Sequence, residues 1–239
     1  MQQDALTVRK RDSYQIFNDI APTYDFLNHV LSLGIDRYWR KKLASRVPLG
    51  QIQVLDLATG TGDLALTVAH WRPEATITAL DLSQGMIDIG KRKVEQKNLT
   101  HRVKMAIGDG VNLSIPDRSV DIISIGFGIR NFSGPYDSLK QCARALRPGG
   151  KILILEFSWP PNRLVRSIYN FYFRYLLPWI GNRLSRHKDA YTYLNQTVEN
   201  FPFGEAFLQL MRDAGFQTVS ATPLTFGIAT LYQGTAKNE

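Results

Sequence analysis

Asp56-Leu57-Ala58-Thr59-Gly60-Thr61-Gly62-Asp63 lies where an apolar run gives way to a helical pattern. Glycine at positions 60 and 62 lets a ligand approach the backbone closely. The free N–H groups that open a helix attract polar or anionic groups. Two chemistries fit this turn. Gly60-Thr61-Gly62-Asp63-Leu64-Ala65 satisfies the dinucleotide pattern G-x-G-x-x-G/A, and Asp81 follows where a ribose-binding acid belongs. Asp56, inside the turn, instead suits an ammonium group better than a pyrophosphate, and Gly108-Asp109-Gly110 brings another acid to the same crevice. A ligand with an ammonium, a sulfonium, a ribose and an adenine would use all three acids, as S-adenosylmethionine does. A nicotinamide dinucleotide, and with it an NAD-linked oxidoreductase, stays open as the alternative.

Each residue then has an expected task. Thr59, Gly60, Thr61 and Gly62 cradle the ligand. Asp81 accepts from both ribose hydroxyls, because a carboxylate can take two hydrogen bonds; its plainer task is to cap the next helix. Asp109 accepts from the adenine amino group or only forms an Asx turn. Met86, one turn into that helix, covers the adenine face or only packs the core.

The elements that must position these residues alternate between strand and helix, the pattern of an α/β domain with a mostly parallel sheet. Strands are expected at 52–58, 75–81, 102–107, 120–126 and 151–157, and helices at 64–70, 83–97 and 136–146. Ser83 reads as a helix cap, and Arg147-Pro148-Gly149-Gly150 as a stop. A helix at 204–214 precedes two closing strands, 216–222 and 226–233. Their short join demands antiparallel pairing, so one edge strand should run against the rest. Residues 1–50 precede the first strand and look helical from about Tyr14 to Val47. Residues 159–203 replace the usual short connection with a segment holding Arg163, Arg166, Arg174, Arg183, Arg186 and Lys188 among many aromatics.

Composition narrows the classes. With 44% hydrophobic residues among 239, a sizeable core can form. No run is long and apolar enough to span a membrane, and the first residues lack the apolar stretch of a secretory signal. A single cysteine, Cys142, fits a reducing cytoplasm and excludes a cysteine metal cluster, and the four histidines have no metal-ligand spacing, so no metal is expected. The net charge of +8 suits an anionic partner. A nucleic-acid-binding protein is the reading from charge alone, but no binding module is visible and no nucleic acid is expected.

Two further stretches carry a resemblance. Tyr24-Asp25-Phe26-Leu27-Asn28-His29-Val30-Leu31-Ser32-Leu33-Gly34-Ile35-Asp36-Arg37-Tyr38-Trp39 is similar to the signature Y-D-x-M-N-x-x-L-S-x-x-x-H-x-x-W of the ubiquinone/menaquinone biosynthesis C-methyltransferase family, with Leu27 for the usual Met and Asp36 for the usual His. Arg144-Ala145-Leu146-Arg147-Pro148-Gly149-Gly150-Lys151-Ile152-Leu153-Ile154-Leu155-Glu156-Phe157-Ser158 and Phe127-Gly128-Ile129-Arg130-Asn131 match its other runs. The resemblance covers about Ile16 to Gly234. It implies a class I S-adenosylmethionine-dependent methyltransferase: a Rossmann-like, seven-stranded, mostly parallel sheet with one antiparallel edge strand. That implies one methyltransferase domain over 1–239, made of an N-terminal helical cap (1–50), a cofactor-binding core (51–158), a helical insert or lid (159–203) and a closing helix and strands (204–239).

The resemblance maps cofactor positions to Thr61, Asp81, Asp109-Gly110 and Gly126, the last able to offer backbone only. It implies methylation of a ring carbon of demethylmenaquinol, giving menaquinol. Pro223-Leu224-Thr225-Phe226-Gly227-Ile228-Ala229 looks like the menaquinone branch rather than the ubiquinone-only branch, with C-methylation in ubiquinone or phylloquinone biosynthesis as the alternative. Arg130 and Asn131 then become the catalytic candidates, Arg130 clamping a quinol oxyanion or only forming a structural salt bridge or lying at the surface, and Asn131 bonding the other ring oxygen or only capping a helix. Tyr24, Asn28 and Tyr193 are the substrate-side candidates, and Asp25 and His187 candidate bases. A polyprenyl substrate also implies work at a membrane surface, with the enzyme cytoplasmic or peripheral at the inner face of the plasma membrane, and the aromatic insert suits either that surface or a homodimer interface.

Overall fold

Continuous apolar runs become strands covered on both faces. In the computed structural model, which describes residues 13–172 and 197–238, β1 (Gln53–Leu57), β2 (Thr76–Asp81), β3 (Val103–Ile107), β4 (Val120–Gly126), β5 (Leu146–Phe157), β6 (Gln217–Leu224) and β7 (Ala229–Thr235) form one sheet ordered β3-β2-β1-β4-β5-β7-β6. Val54, Leu55, Asp56 and Leu57 of β1 are all buried, as a central parallel strand requires. The strand that runs against the others is β7, paired antiparallel to both β5 and the outermost strand β6. The order reverses between β1 and β4, and a crevice opens there beyond the carboxyl ends of the strands.

The helices are α1 (Ser13–Leu31), α2 (Ile35–Ala44), α3 (Asp63–Trp71), α4 (Gln84–Gln96), α5 (Pro135–Ala145), α6 (Arg163–Phe171) and α7 (Glu205–Asp213). Trp39 and Leu43 of α2, the buried residues of α3, and Ile87 and Val94 of α4 share one apolar layer with one face of the sheet. Leu139 and Cys142 of α5 and Phe207 and Met211 of α7 fill the other. Cys142 is fully buried, which pushes its thiol up to about 12. Ser83 caps α4 by accepting from the Met86 amide, as its sequence position implies.

One expectation changes. Arg147-Pro148-Gly149-Gly150 is not a turn ahead of the strand. Pairing starts at Val120↔Leu146 and resumes at Ile122↔Lys151, so the extra residues bulge out of β5 around Gly149, whose φ is +74°. Met86 is 1% exposed and packs beneath Ile20 and Ala21 of α1, in line with the core-packing alternative. Of the insert, α6 lies within the described residues; Tyr193, with Tyr191 and His187, lies outside them. Among the described residues no helix is long and apolar enough to cross a membrane.

Candidate active site

Two strand ends meet at the switch point. The chain leaves β1 through Ala58 at φ +49° and leaves β4 through Phe127 at φ +58°, conformations that cost non-glycine residues energy and are tolerated where packing enforces them. A Cβ on Gly128 would lie 2.4 Å from Ala58 Cβ, so the two loops touch and only glycine fits between them. Gly60 (φ +57°) is open by contrast: a Cβ there would meet only Tyr24 Cε1, at 3.8 Å. The aromatic ring of α1 therefore lies over the glycine turn.

The expected cofactor residues surround this turn but divide the work differently. Asp81 ends β2 and accepts from the amides of Gly60 (2.8 Å) and Ser83 (2.9 Å). Burial pushes its carboxyl up, against the pull of those N–H groups. The lone-pair capacity that these amides leave over can serve a ribose hydroxyl. Asp56 is different. It is 1% exposed and accepts from Thr59 Oγ1 (2.6 Å) and Ser124 Oγ (2.5 Å), tying the turn to β4. Burial pushes Asp56 up to about 6, against those two hydroxyls. Its carboxylate thus ties the turn to β4 through both oxygens. Asp109 likewise accepts locally, from the Val111 amide and the Asn112 side chain, as an Asx turn. Gly110 stays small because a Cβ would strike the Phe132 ring at 2.7 Å, and a Cβ on Gly126 would meet Leu64 at 3.0 Å.

Sequence reasoning missed the apolar faces of this crevice. Leu82 and Ile107 follow or end β2 and β3 and are 46% and 49% exposed. Exposed large apolar residues beside Asp81 are the available faces for an adenine. The signal was an apolar residue directly after the ribose acid.

It also missed a chain of ion pairs that seats α1 and α2 on the turn. Lys93 of α4 pairs with Asp25 (2.5 Å) and Asp63 (2.7 Å) and donates to Thr61 Oγ1 (2.9 Å), which itself donates to Asp25 (2.5 Å). Asp25, bound twice, is a latch residue here. His29 bridges Asp63 (3.5 Å) and Asp36 (2.8 Å). Burial works against ionised Asp36, but the Ser32 hydroxyl, Arg40 and His29 hold its carboxyl below the usual range. Trp39 donates to Thr225 Oγ1 at 2.8 Å, pinning α2 to the β6–β7 turn.

The other side of the crevice is built on a 3₁₀ turn, Ile129–Asn131, after β4. Arg130 is 5% exposed; its Nη1 donates to the Phe127 carbonyl and pairs with Glu156 Oε1 at 2.7 Å. Glu156 is fully buried, and burial pushes its carboxyl up while Arg130 pulls it down. A lone acid in the apolar run of β5 was the signal for this pair. Three buried atoms here have no hydrogen-bond partner among the described residues: Arg130 Nε, Asn131 Oδ1 and Glu156 Oε2. Asn131 caps no helix. The Arg130 guanidinium lies 5.4 Å from the Phe157 ring centre, and Trp39, Phe127 and Phe157 stack together with centroids 4.6–6.2 Å apart. Tyr24, with Asn28 beside its hydroxyl, faces Arg130 from α1; burial pushes its phenol up.

Comparison with known proteins gives this geometry a family. The model of the ubiE/COQ5 methyltransferase family matches residues 6–236. A demethylmenaquinone methyltransferase of Bacteroides fragilis is 40% identical over 222 residues, 92% of this chain and 91% of that protein. A ubiquinone/menaquinone biosynthesis C-methyltransferase of Geobacter sulfurreducens is 42% identical over 231 residues, 96% of this chain and 90% of that protein. Among solved structures, the [4+2]-cyclase SpnF superposes with a TM-score of 0.71 at 16% identity, covering 96% of this chain and 97% of that one. A SAM-dependent methyltransferase from Aquifex aeolicus gives 0.57 at 16% identity, covering 82% and 88%. These two establish the fold alone. The family match sets aside the dinucleotide reading, and the acids around Gly60 agree, since they would repel a pyrophosphate. The Asp81 carboxylate, the apolar faces of Leu82 and Ile107, and the open backbone at Gly60 fit S-adenosylmethionine.

Proposed function

Because the chain belongs to the ubiE/COQ5 methyltransferase family, whose members use S-adenosylmethionine, we propose that it methylates a ring carbon of demethylmenaquinol to give menaquinol. The observation that carries the substrate class is the pair of unpartnered buried atoms beside the crevice, one donor and one acceptor. Arg130 Nε–H suits a ring oxyanion and Asn131 Oδ1 suits a ring hydroxyl, the two groups of a quinol monoanion. A fully oxidised quinone has two acceptors and would leave Asn131 Oδ1 unpaired.

When bound, the cofactor supplies an electrophilic methyl on a sulfonium. The chain's own residues align the ring and exclude water. Arg130 holds the oxyanion that raises electron density on the ring carbon, lowering a phenol-type pKa of roughly 10. Asn131 fixes the opposite oxygen, Tyr24 and Asn28 close the site from α1, and Trp39, Phe127 and Phe157 form its dry wall.

The polyprenyl tail sits in a bilayer, so the enzyme works at the membrane surface. Leu164 and Ile168, one turn apart on α6, are 70% and 63% exposed beside exposed Arg163 and suit that contact. The test is turnover of demethylmenaquinone with labelled S-adenosylmethionine, with and without dithionite. Methylation should require the reductant. Equal rates on rigorously oxidised quinone would falsify the quinol reading.

A further inference from the structure

S-adenosylmethionine carries one anionic group, its α-carboxylate, and the turn that receives the amino-acid end is ringed by carboxylates. Asp25, Asp56 and Asp63 surround the turn, with Asp81 beyond Gly60. A carboxylate entering this ring needs a cation. Among the described residues, three lie beside the crevice. Lys93 is held by Asp25, Asp63 and Thr61. Arg130 is held by Glu156 and the Phe127 carbonyl, on the substrate side. Arg40 is held at one nitrogen only: Nη1 pairs with Asp36, and Nε and Nη2 have no partner among the described residues.

Arg40 is well placed. Its side chain is 11% exposed, and its guanidinium lies 5.8 Å from the ring centre of Phe127, the residue that leaves β4 at the switch point. Its charge is felt by Asp56 and Asp63 at the two ends of the glycine turn and by Tyr24 above it. An arginine has five donors in a planar fork, so it can keep Asp36 on one edge and take a second carboxylate on another. The orientation is set from behind. Asp36 accepts from Ser32 at 2.6 Å and contacts His29 Nδ1 at 2.8 Å, and His29 reaches on to Asp63.

We infer that Arg40 receives the α-carboxylate of the cofactor and that Asp36 is a positioning residue that aims it. The inference rests on the cofactor reading and adds to it a residue that discriminates among cofactor analogues. The test measures calorimetric binding of two ligands: S-adenosylhomocysteine, and its decarboxylated analogue S-adenosyl-3-thiopropylamine, which keeps the ammonium and lacks the carboxylate. Wild type should prefer S-adenosylhomocysteine. Arg40→Gln, which keeps packing over Phe127, and Arg40→Ala should each weaken S-adenosylhomocysteine by about tenfold or more, the scale of a charge-assisted bond. Both should leave the decarboxylated ligand within about threefold, the scatter of a surface change. Arg40→Lys should recover part of the preference, since charge returns without the fork. Asp36→Asn should lower the preference less than Arg40→Gln does.

A ratio of affinities is insensitive to a partly unfolded sample, so a destabilised variant still answers. Equal weakening of both ligands overturns the inference and leaves Arg40 as a strut for α2. No weakening of either does the same. Failure of wild type to bind S-adenosylhomocysteine at all overturns the cofactor reading beneath it, which is a different result.

Discussion

Around Gly60 every acid already has its donors, whereas around Arg130 three buried polar atoms have none. Asp25, Asp56, Asp63 and Asp81 are each bound at least twice, by hydroxyls, amides, Lys93 or His29. Arg130 Nε, Asn131 Oδ1 and Glu156 Oε2 are sealed from solvent without a partner. Leaving such an atom unpaired costs about 1–3 kcal/mol, and folded chains rarely tolerate three together unless function uses them. The contrast separates two tasks. The cofactor half is shaped in advance, so a ligand meets a turn that is already rigid. The substrate half keeps unmet polar demand beside an aromatic wall, which on the proposed reading the ring oxygens of a quinol would complete.

The largest expected effect follows from the unmet side. Arg130→Ala should lower the rate constant by roughly a hundredfold or more, the scale of one lost oxyanion donor. Cofactor affinity should stay nearly normal, because Arg130 contacts none of the acids around Gly60. Raising the pH should restore part of the rate, as the quinol then ionises unaided. The same change strands Glu156 as a buried charge, a loss of about 3–5 kcal/mol of stability. Arg130→Met combined with Glu156→Gln removes both charges and serves as the folded control. Normal turnover in that double variant at neutral pH would make the pair structural and erase the contrast.

A smaller effect is expected on the satisfied side. Asp81→Ala should cut S-adenosylhomocysteine affinity by at least about tenfold, since each hydrogen bond to a charged acceptor is worth roughly 1.5–3 kcal/mol. It also removes the acceptor of the Gly60 amide, so the glycine turn should loosen. Hydrogen exchange at Gly60 should therefore quicken along with the weaker binding. Intact affinity in a folded variant would move the ribose elsewhere in the crevice.

Strands were legible because parallel strands covered on both faces read as unbroken apolar runs, and α4 because Ser83 marks its start. The β5 bulge was not legible: Pro148-Gly149-Gly150 has turn chemistry, and only pairing with Val120 makes it part of a strand. Met86 was left between two readings because periodicity defines the face of α4 but not that α1 folds over it. Asp56, Asp81 and Asp109 were recognised as a set, yet spacing cannot say which carboxylates are absorbed by neighbours. The decisive pairs, Arg130 with Glu156 and Lys93 with Asp25, join residues far apart in the chain, so charge pattern within a segment does not show them.

The smallest expected effect tests whether Asp56 belongs wholly to the scaffold. Burial lifts its carboxyl from 3.8 to about 6, so the folded protein holds the proton more tightly than the unfolded chain. The stability this confers is complete below the unfolded value and is lost as the pH rises through the folded one. Above that, wild type holds a buried carboxylate stabilised by the Thr59 and Ser124 hydroxyls and, at longer range, by the charge of Arg40. Asp56→Asn keeps the shape and a carbonyl acceptor without the charge. It should stabilise the fold at pH 7 by about 1 kcal/mol, relief of desolvation outweighing one weaker hydrogen bond. Relative to wild type, that gain should shrink as the pH falls from 7 to 4, because wild type becomes neutral too. Denaturant melts of the two proteins across this range measure the difference directly. Cofactor affinity should change less than it does in Asp81→Ala. A loss of binding as large as in Asp81→Ala, with the fold intact, would return Asp56 to the ligand and make the two halves of the crevice less distinct.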